Sequence, residues 1–225
     1  MASDAASNGI PGRRLLIGLL VILGAAVIPA VFLPTLMCKA ADPKLDDFGA
    51  LPAFELTDER GQPFTQDALR DHVTIVSFIF TRCDGICPMT TMKMQGVQEK
   101  TFDVADKVKL LSISIDPKYD TPARLAAYAS QYHADAARWR FVTGTYDAIH
   151  TLVEIGFKQN MQLDGTTPGG APNIAHSGYF ALVDTHGHIR ASAVNDQAAG
   201  GYDYREDQRL DQLIRDARFL ARTRN

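Results

Sequence analysis

The segment VTIVSFIF, Val73 to Phe80, limits the possible folds more than any other stretch of the chain. It is almost wholly apolar and rich in β-branched and aromatic residues. A strand exposed on one face alternates apolar and polar residues. A strand without alternation belongs in the middle of a sheet covered on both faces. Val108 to Ile115, VKLLSISI, repeats the pattern. Gly178 to Val183 and Ile189 to Val194 read as two more strands, and Asp184 and Gly187 between them are hairpin-turn residues. Helices fall between the strands. One runs from Pro88 to about Glu99. A second opens with Thr121 as N-cap and Pro122 at the first helical position, and reaches about Tyr132. Thr145 caps a third, to about Ile155, and the last spans about Arg205 to Leu220. Strands alternating with helices imply an α/β fold. Its central sheet is largely parallel and closed by an antiparallel hairpin, hence mixed, with helices flanking it.

The N-terminus has a different character. Met1 to Gly12 is small and polar, Arg13 and Arg14 follow, and Leu15 to Met37 runs 23 residues without a charge. At a rise of about 1.5 Å per residue such a run crosses a bilayer core of about 30 Å. It is longer than the apolar core of a signal peptide, although cleavage near Ala40 is a competing reading. The expected organisation is a short cytoplasmic tail (1–14), a transmembrane anchor (15–37), a linker (38–51) and a globular domain (52–225) on the periplasmic, extracytoplasmic side. The flanking charges alone do not set the orientation, because Lys39 and Lys44 balance Arg13 and Arg14. Cys38 lies at the membrane boundary. Leu36 and Met37 before it are not the small residues of a lipidation site, so it reads as an interfacial thiol without a role. The formal net charge is -3 and no basic block occurs, which argues against a nucleic-acid partner.

Two cysteines, Cys83 and Cys87, directly follow the first buried strand, and Pro88 opens a helix after them. Ligand sites of open α/β sheets lie beyond the strand ends. A helix N-terminus stabilises thiolate, which is both the nucleophile and the metal ligand. Position therefore favours a functional pair over two inert core thiols. Three residues separate the cysteines, Asp84, Gly85 and Ile86, and Gly85 eases the turn. Such a loop can close a disulfide or clamp one soft ion such as Cu(I) or zinc. Strand, cysteine pair and helix in this order are the arrangement of a thioredoxin-like domain.

A third ligand has to come from elsewhere in the chain. His72 reads as a surface residue, His133 and His150 as solvated, and His186 and His188 as residues of the hairpin turn. His176 stands apart, just before an apolar strand and after the Gly/Pro-rich loop DGTTPGGAPN. In a thioredoxin-like fold that loop passes beside the cysteine loop. The residues alone leave His176 open as a ligand, and leave open any help from Met89, Met92 or Met94 in guiding a metal.

The segments PAFELTDERGQPFT, VSFIFTRCDGICP, LLSISIDPKYDTPARLAAYA and IAHSGYFALVDTHGHIRA together resemble the Sco/SenC family of copper-binding proteins for cytochrome c oxidase assembly. The resemblance implies a thioredoxin-like, membrane-anchored protein that binds copper, as Cu(I) or Cu(II), through Cys83, Cys87 and His176. Asp116 and Pro117 match the family's Asp-Pro and read as shaping the turn before the Thr121 helix. The implied partners are the copper-centre subunit of a cytochrome c oxidase and a thiol-disulfide redox partner. Family members often carry Pro-Asp after the first cysteine, where this chain has Asp84-Gly85. Two rival outputs stay in play. One is a thiol-disulfide oxidoreductase in which Cys83 attacks and Cys87 resolves, keeping client cysteines reduced; the other is an anchored binding module without metal.

Overall fold

The computed structural model describes residues 42–83, 85–159, 161–166, 172–176, 179–192 and 201–223, with backbone alone in 161–166 and 172–176. The apolar run at 15–37 lies outside them. Among the described residues no helix is long and apolar enough to cross a membrane.

The two runs without alternation form central strands. β1 is Leu45–Ala50, β2 Glu55–Asp58, β3 Pro63–Thr65, β4 Val73–Ile79, β5 Val108–Ser114, β6 Trp139–Thr143, β7 Met161–Thr166, β8 Pro172–His176, β9 Tyr179–Val183, β10 His188–Ser192 and β11 Gly201–Asp203. The main sheet runs β1-β10-β9-β4-β5-β6-β2-β3, and β11 continues the edge of β9 beyond β10. Strands β4, β5 and β6 are parallel; every other pairing in the sheet is antiparallel. Every residue of β4 is buried, as expected of a strand sealed on both faces. β7 and β8 form a separate antiparallel pair in which Met161 opposes His176.

Four α-helices pack around this sheet among the described residues: α1 Ile86–Lys100, α2 Pro122–Gln131, α3 Tyr146–Thr151 and α4 Asp207–Arg222. The Thr121 and Thr145 caps form as the sequence implies. Thr121 Oγ1 accepts from the Arg124 amide at 3.3 Å, and Thr145 Oγ1 from the Ala148 amide at 3.2 Å. A wider turn, Leu152–Gly156, extends α3. Alternation along β4 divides the core in two. Val73, Ile75 and Ile79 pack with Met94 and Val97 of α1, Leu125 of α2 and Leu213 and Ala217 of α4. Val76 and Phe78 pack on the other side with Phe54, Phe64, Leu69, Ile149 and Phe157.

The strand bounds shift little from expectation, but the sheet is mostly antiparallel rather than largely parallel, because strands from the edges of the fold join β4, β5 and β6 on both sides. β1 lies inside the stretch read as linker and pairs with β10, anchored by His188 Nδ1 and Asp47 Oδ2 at 2.8 Å. β2, β3 and β6 carry no strong strand pattern and pair all the same. The hairpin turn has Gly187 at φ 83°, where a Cβ would be strained.

Candidate metal centre

The chain leaves the buried end of β4, turns at Thr81 and Arg82, and presents Cys83; Cys87 lies in the first turn of α1. The helix begins at Ile86, two residues before the expected start at Pro88. Proline is tolerated there because first-turn amides have no partner within the helix. This start brings Cys87 into the helix N-terminus.

The two thiols have opposite environments. Cys83 is half-buried and Cys87 fully buried, and the two are not joined as a disulfide. The Cys87 thiol donates to the Cys83 sulfur, and the backbone amides of Cys87, Gly85 and Ile86 also point at it. Together they bring the Cys83 pKa down to about 6 against the opposing effect of burial. Cys87 is pushed far up by its hydrogen bond to Cys83 and by burial. At neutral pH the pair therefore holds one thiolate and one thiol sharing a proton. Behind Cys87, its carbonyl accepts from Thr91 Oγ1 at 2.8 Å, and Thr91 in turn bonds the Tyr128 hydroxyl at 2.8 Å.

Two carboxylates from the β5–α2 turn hold the approach to Cys83. Asp120, fully buried, accepts from the Thr81 amide at 3.0 Å, Thr81 Oγ1 at 2.5 Å and Ser114 Oγ at 2.6 Å. Asp116 pairs with Arg82 Nε at 2.6 Å, and the Arg82 guanidinium lies 4.6 Å from the centre of the Tyr119 ring. Asp116 thus restrains the residue before Cys83 as well as shaping its own turn. Sequence reasoning missed Asp120 and Thr81. Asp120 looks like an ordinary residue preceding a helix cap, and the fact that it reaches a residue 39 positions away is visible only after folding.

His176 ends β8, and its imidazole lies outside the described residues. Among the described residues no group of three His, Cys, Asp or Glu side chains could hold a metal. The other histidines are accounted for. His72 bonds the Arg70 carbonyl, and His133 takes the left-handed position after α2 at φ 52°. His150 pairs with Glu154, His186 sits in the hairpin turn, and His188 meets Asp47. Met94 is buried in the core, while Met89 and Met92 are exposed on α1.

A mixed sheet that delivers paired thiols from the end of a central strand to the first turn of a helix defines a thioredoxin-like protein with a Cys-x-x-x-Cys site. More specifically, the SCO1/SenC family model matches residues 43–201, and the chain belongs to that family. It is 29% identical over 137 residues to the SCO1 protein homolog of Bacillus subtilis, covering 60% of this chain and 69% of the relative. Among solved structures it is similar to BsSco, a member of the Sco family of cytochrome c oxidase assembly proteins in which a disulfide switch was identified. That match has a TM-score of 0.67 and 25% identity, and covers 81% of this chain and 99% of BsSco. Yeast Sco1 with copper bound shares the fold, with a TM-score of 0.56 and 24% identity over 76% of this chain and 89% of that one.

Proposed function

We propose that this protein binds copper through Cys83, Cys87 and His176 and passes it to the copper-centre subunit of a cytochrome c oxidase. The observation that carries this reading is the unequal thiol pair. Cys83 is already ionised near neutral pH, and Cys87 shares its proton with it at a helix N-terminus. Two adjacent sulfurs are soft donors and fit Cu(I) better than any hard cation. An entering ion displaces the Cys87 proton, so uptake releases a proton. The half-exposed Cys83 gives an incoming ion its first contact, and buried Cys87 completes the clamp. A neutral His176 imidazole as third ligand leaves a low-coordinate site open to ligand exchange. The uncharged run at 15–37 supports a single-span anchor, and the family resemblance supports placing the domain on the periplasmic side.

The test is a Cu(I) titration of the reduced protein against a chromophoric chelator, with Cys83→Ser, Cys87→Ser and His176→Ala in parallel. One tightly bound Cu(I) per chain, weakened in each variant, is the expected result. Binding indifferent to all three substitutions sinks the assignment. A second reading, thiol-disulfide exchange, draws on the same asymmetry, because an ionised outer thiol and a buried resolving thiol suit attack and release. It is favoured if reductase turnover survives His176→Ala while copper binding is weak.

A further inference from the structure

Both chains at the open end of the β7–β8 pair are tied to the part of the sheet that carries the cysteines. Before β7, the Phe157 ring meets Phe78 edge-on, with ring centres 5.2 Å apart. Phe78 is the last residue but one of β4. Phe157, Phe80 and Cys87 share one apolar cluster, and Cys83 packs against it. Met161 follows Phe157 by four residues, a reach of at most about 14 Å. On the other chain, Tyr179 opens β9 three residues after His176, a reach of at most about 11 Å. β9 runs antiparallel to β4 with Ala181 opposite Val76, which sets Tyr179 level with Phe78. Gln159, 3% exposed, stands between the two chains: a Cβ on Gly201 would lie 2.7 Å from Tyr179 Cβ and 3.5 Å from Gln159 Nε2.

The pairing within β7–β8 is regular at this end. Met161 opposes His176, Gln162 opposes Ala175 and Leu163 opposes Ile174; the irregularity falls beyond Leu163. Directly opposed residues share a face, with Cβ atoms about 5 Å apart, and alternate residues share it too. One face of the pair thus carries His176, Met161, Leu163 and Ile174, and the polar Gln162 belongs to the other. A slip of one residue would move Met161 to the opposite face. Met94 is committed to the core, and Met89 and Met92 are exposed on α1. Met161 differs from them in being the cross-strand neighbour of His176, and it carries a soft thioether.

We propose that Met161 supplies that thioether as a weak fourth ligand to the copper held by Cys83, Cys87 and His176. The inference rests on the ligation proposed above. Thioether sulfur favours Cu(I), and a long axial thioether beside thiolate and imidazole tunes copper sites. Added to two thiolates and one imidazole, it holds Cu(I) more firmly without adding charge, and its weak bond leaves a position for ligand exchange. A purely apolar role, on a face shared with Leu163 and Ile174, would be served equally well by leucine.

The test loads the reduced full chain in detergent micelles with Cu(I) and follows its methionine methyl groups, labelled with carbon-13, by NMR. The Met161 signal, assigned by its loss in Met161→Leu, should move in step with loading and stop at one Cu(I) per chain. The movement should vanish when Cys83→Ser and Cys87→Ser are combined. Competition against a chromophoric chelator should show Met161→Leu binding Cu(I) about three- to tenfold more weakly. Urea unfolding of the metal-free variant should match the parent, because leucine keeps the volume and the apolar face. One tightly bound Cu(I) in the parent with a stationary Met161 methyl overturns this inference and leaves the three-ligand site intact. A moving methyl with parental affinity in Met161→Leu overturns it too, since closeness without a bond explains both results. Absence of tight Cu(I) binding in the parent overturns the ligation itself, and the role of Met161 with it.

Discussion

Cys83 and Cys87 are four residues apart, yet their protons are held very differently. The sulfur that collects three backbone amides and a neighbouring thiol proton is the anion; the sulfur sealed beneath Phe80 and the helix keeps its proton. Only thiolate reacts with an alkylating reagent. The iodoacetamide rate at Cys83 should therefore rise with pH through a midpoint near 6 and level off above it. Cys87 should stay unlabelled while the protein is folded. Cys87→Ala removes the largest cause of the shift and should move the midpoint up toward the ordinary thiol range. Peptide mapping after labelling across pH decides this, and a wild-type midpoint near that of a free thiol would refute the assignment. Asp120 acts on the same loop by position. Asp120→Ala leaves the Thr81 amide, Thr81 Oγ1 and Ser114 Oγ without their acceptor, and should cost on the order of 2–3 kcal/mol in urea unfolding. It should also broaden the Cys83 titration as the loop loosens. A variant as stable as the parent would show that the buried carboxylate is dispensable.

Among the elements, α4 shows how polar and apolar anchors divide the work. Leu210, Leu213, Ile214, Ala217 and Ala221 recur at helical spacing and bury one face against the sheet. Asp216 is buried on this helix, accepting from the Tyr202 hydroxyl of β11 at 2.8 Å and from Gln212 at 3.0 Å. Tyr202→Phe removes the first donor and should cost about 1–3 kcal/mol in urea unfolding. Lys93→Ala, which breaks an exposed pair with Asp207, should cost far less, because solvent screens it. Equal losses would contradict this division. The same contrast explains what could be read from the chain alone. β4 and β5 were legible because burial on both faces leaves an unbroken apolar run, and α2 because Thr121-Pro122 is a local signal. β1, with Asp46 and Asp47, and β6, with Arg140, were not, since each is fixed by partners distant in sequence: β10 for the first, β5 and Asp58 for the second. At the site, the paired cysteines were legible from position. The restraint by Asp120 was not, because it depends on the β5–α2 turn folding back to Thr81.

At the scale of the whole domain, the sheet separates two ends with different chemistry. The carboxyl ends of β4 and β5 carry the thiols and their carboxylate supports; the amino ends carry Lys109 and Arg138. On the ligation proposed above, copper at the first end would link the loop after β4 to the first turn of α1, an arrangement that exists only in the folded chain. Metal binding is then also folding free energy. With free Cu(I) buffered at 100 times the dissociation constant, unfolding should become about 2.7 kcal/mol less favourable. For a domain of this size that corresponds to a rise in Tm of roughly 5–11 °C. Cys83→Ser and Cys87→Ser should each abolish the shift, and His176→Ala should reduce it, because the imidazole adds to a clamp the two sulfurs have already begun. Calorimetry of the reduced protein at fixed buffered Cu(I) measures all four. A full shift in His176→Ala would remove His176 from the ligand set and leave the thiol pair as the whole site. No shift in the wild type would mean that copper does not use the folded site at all, and the asymmetric thiols would then be best explained as a redox pair.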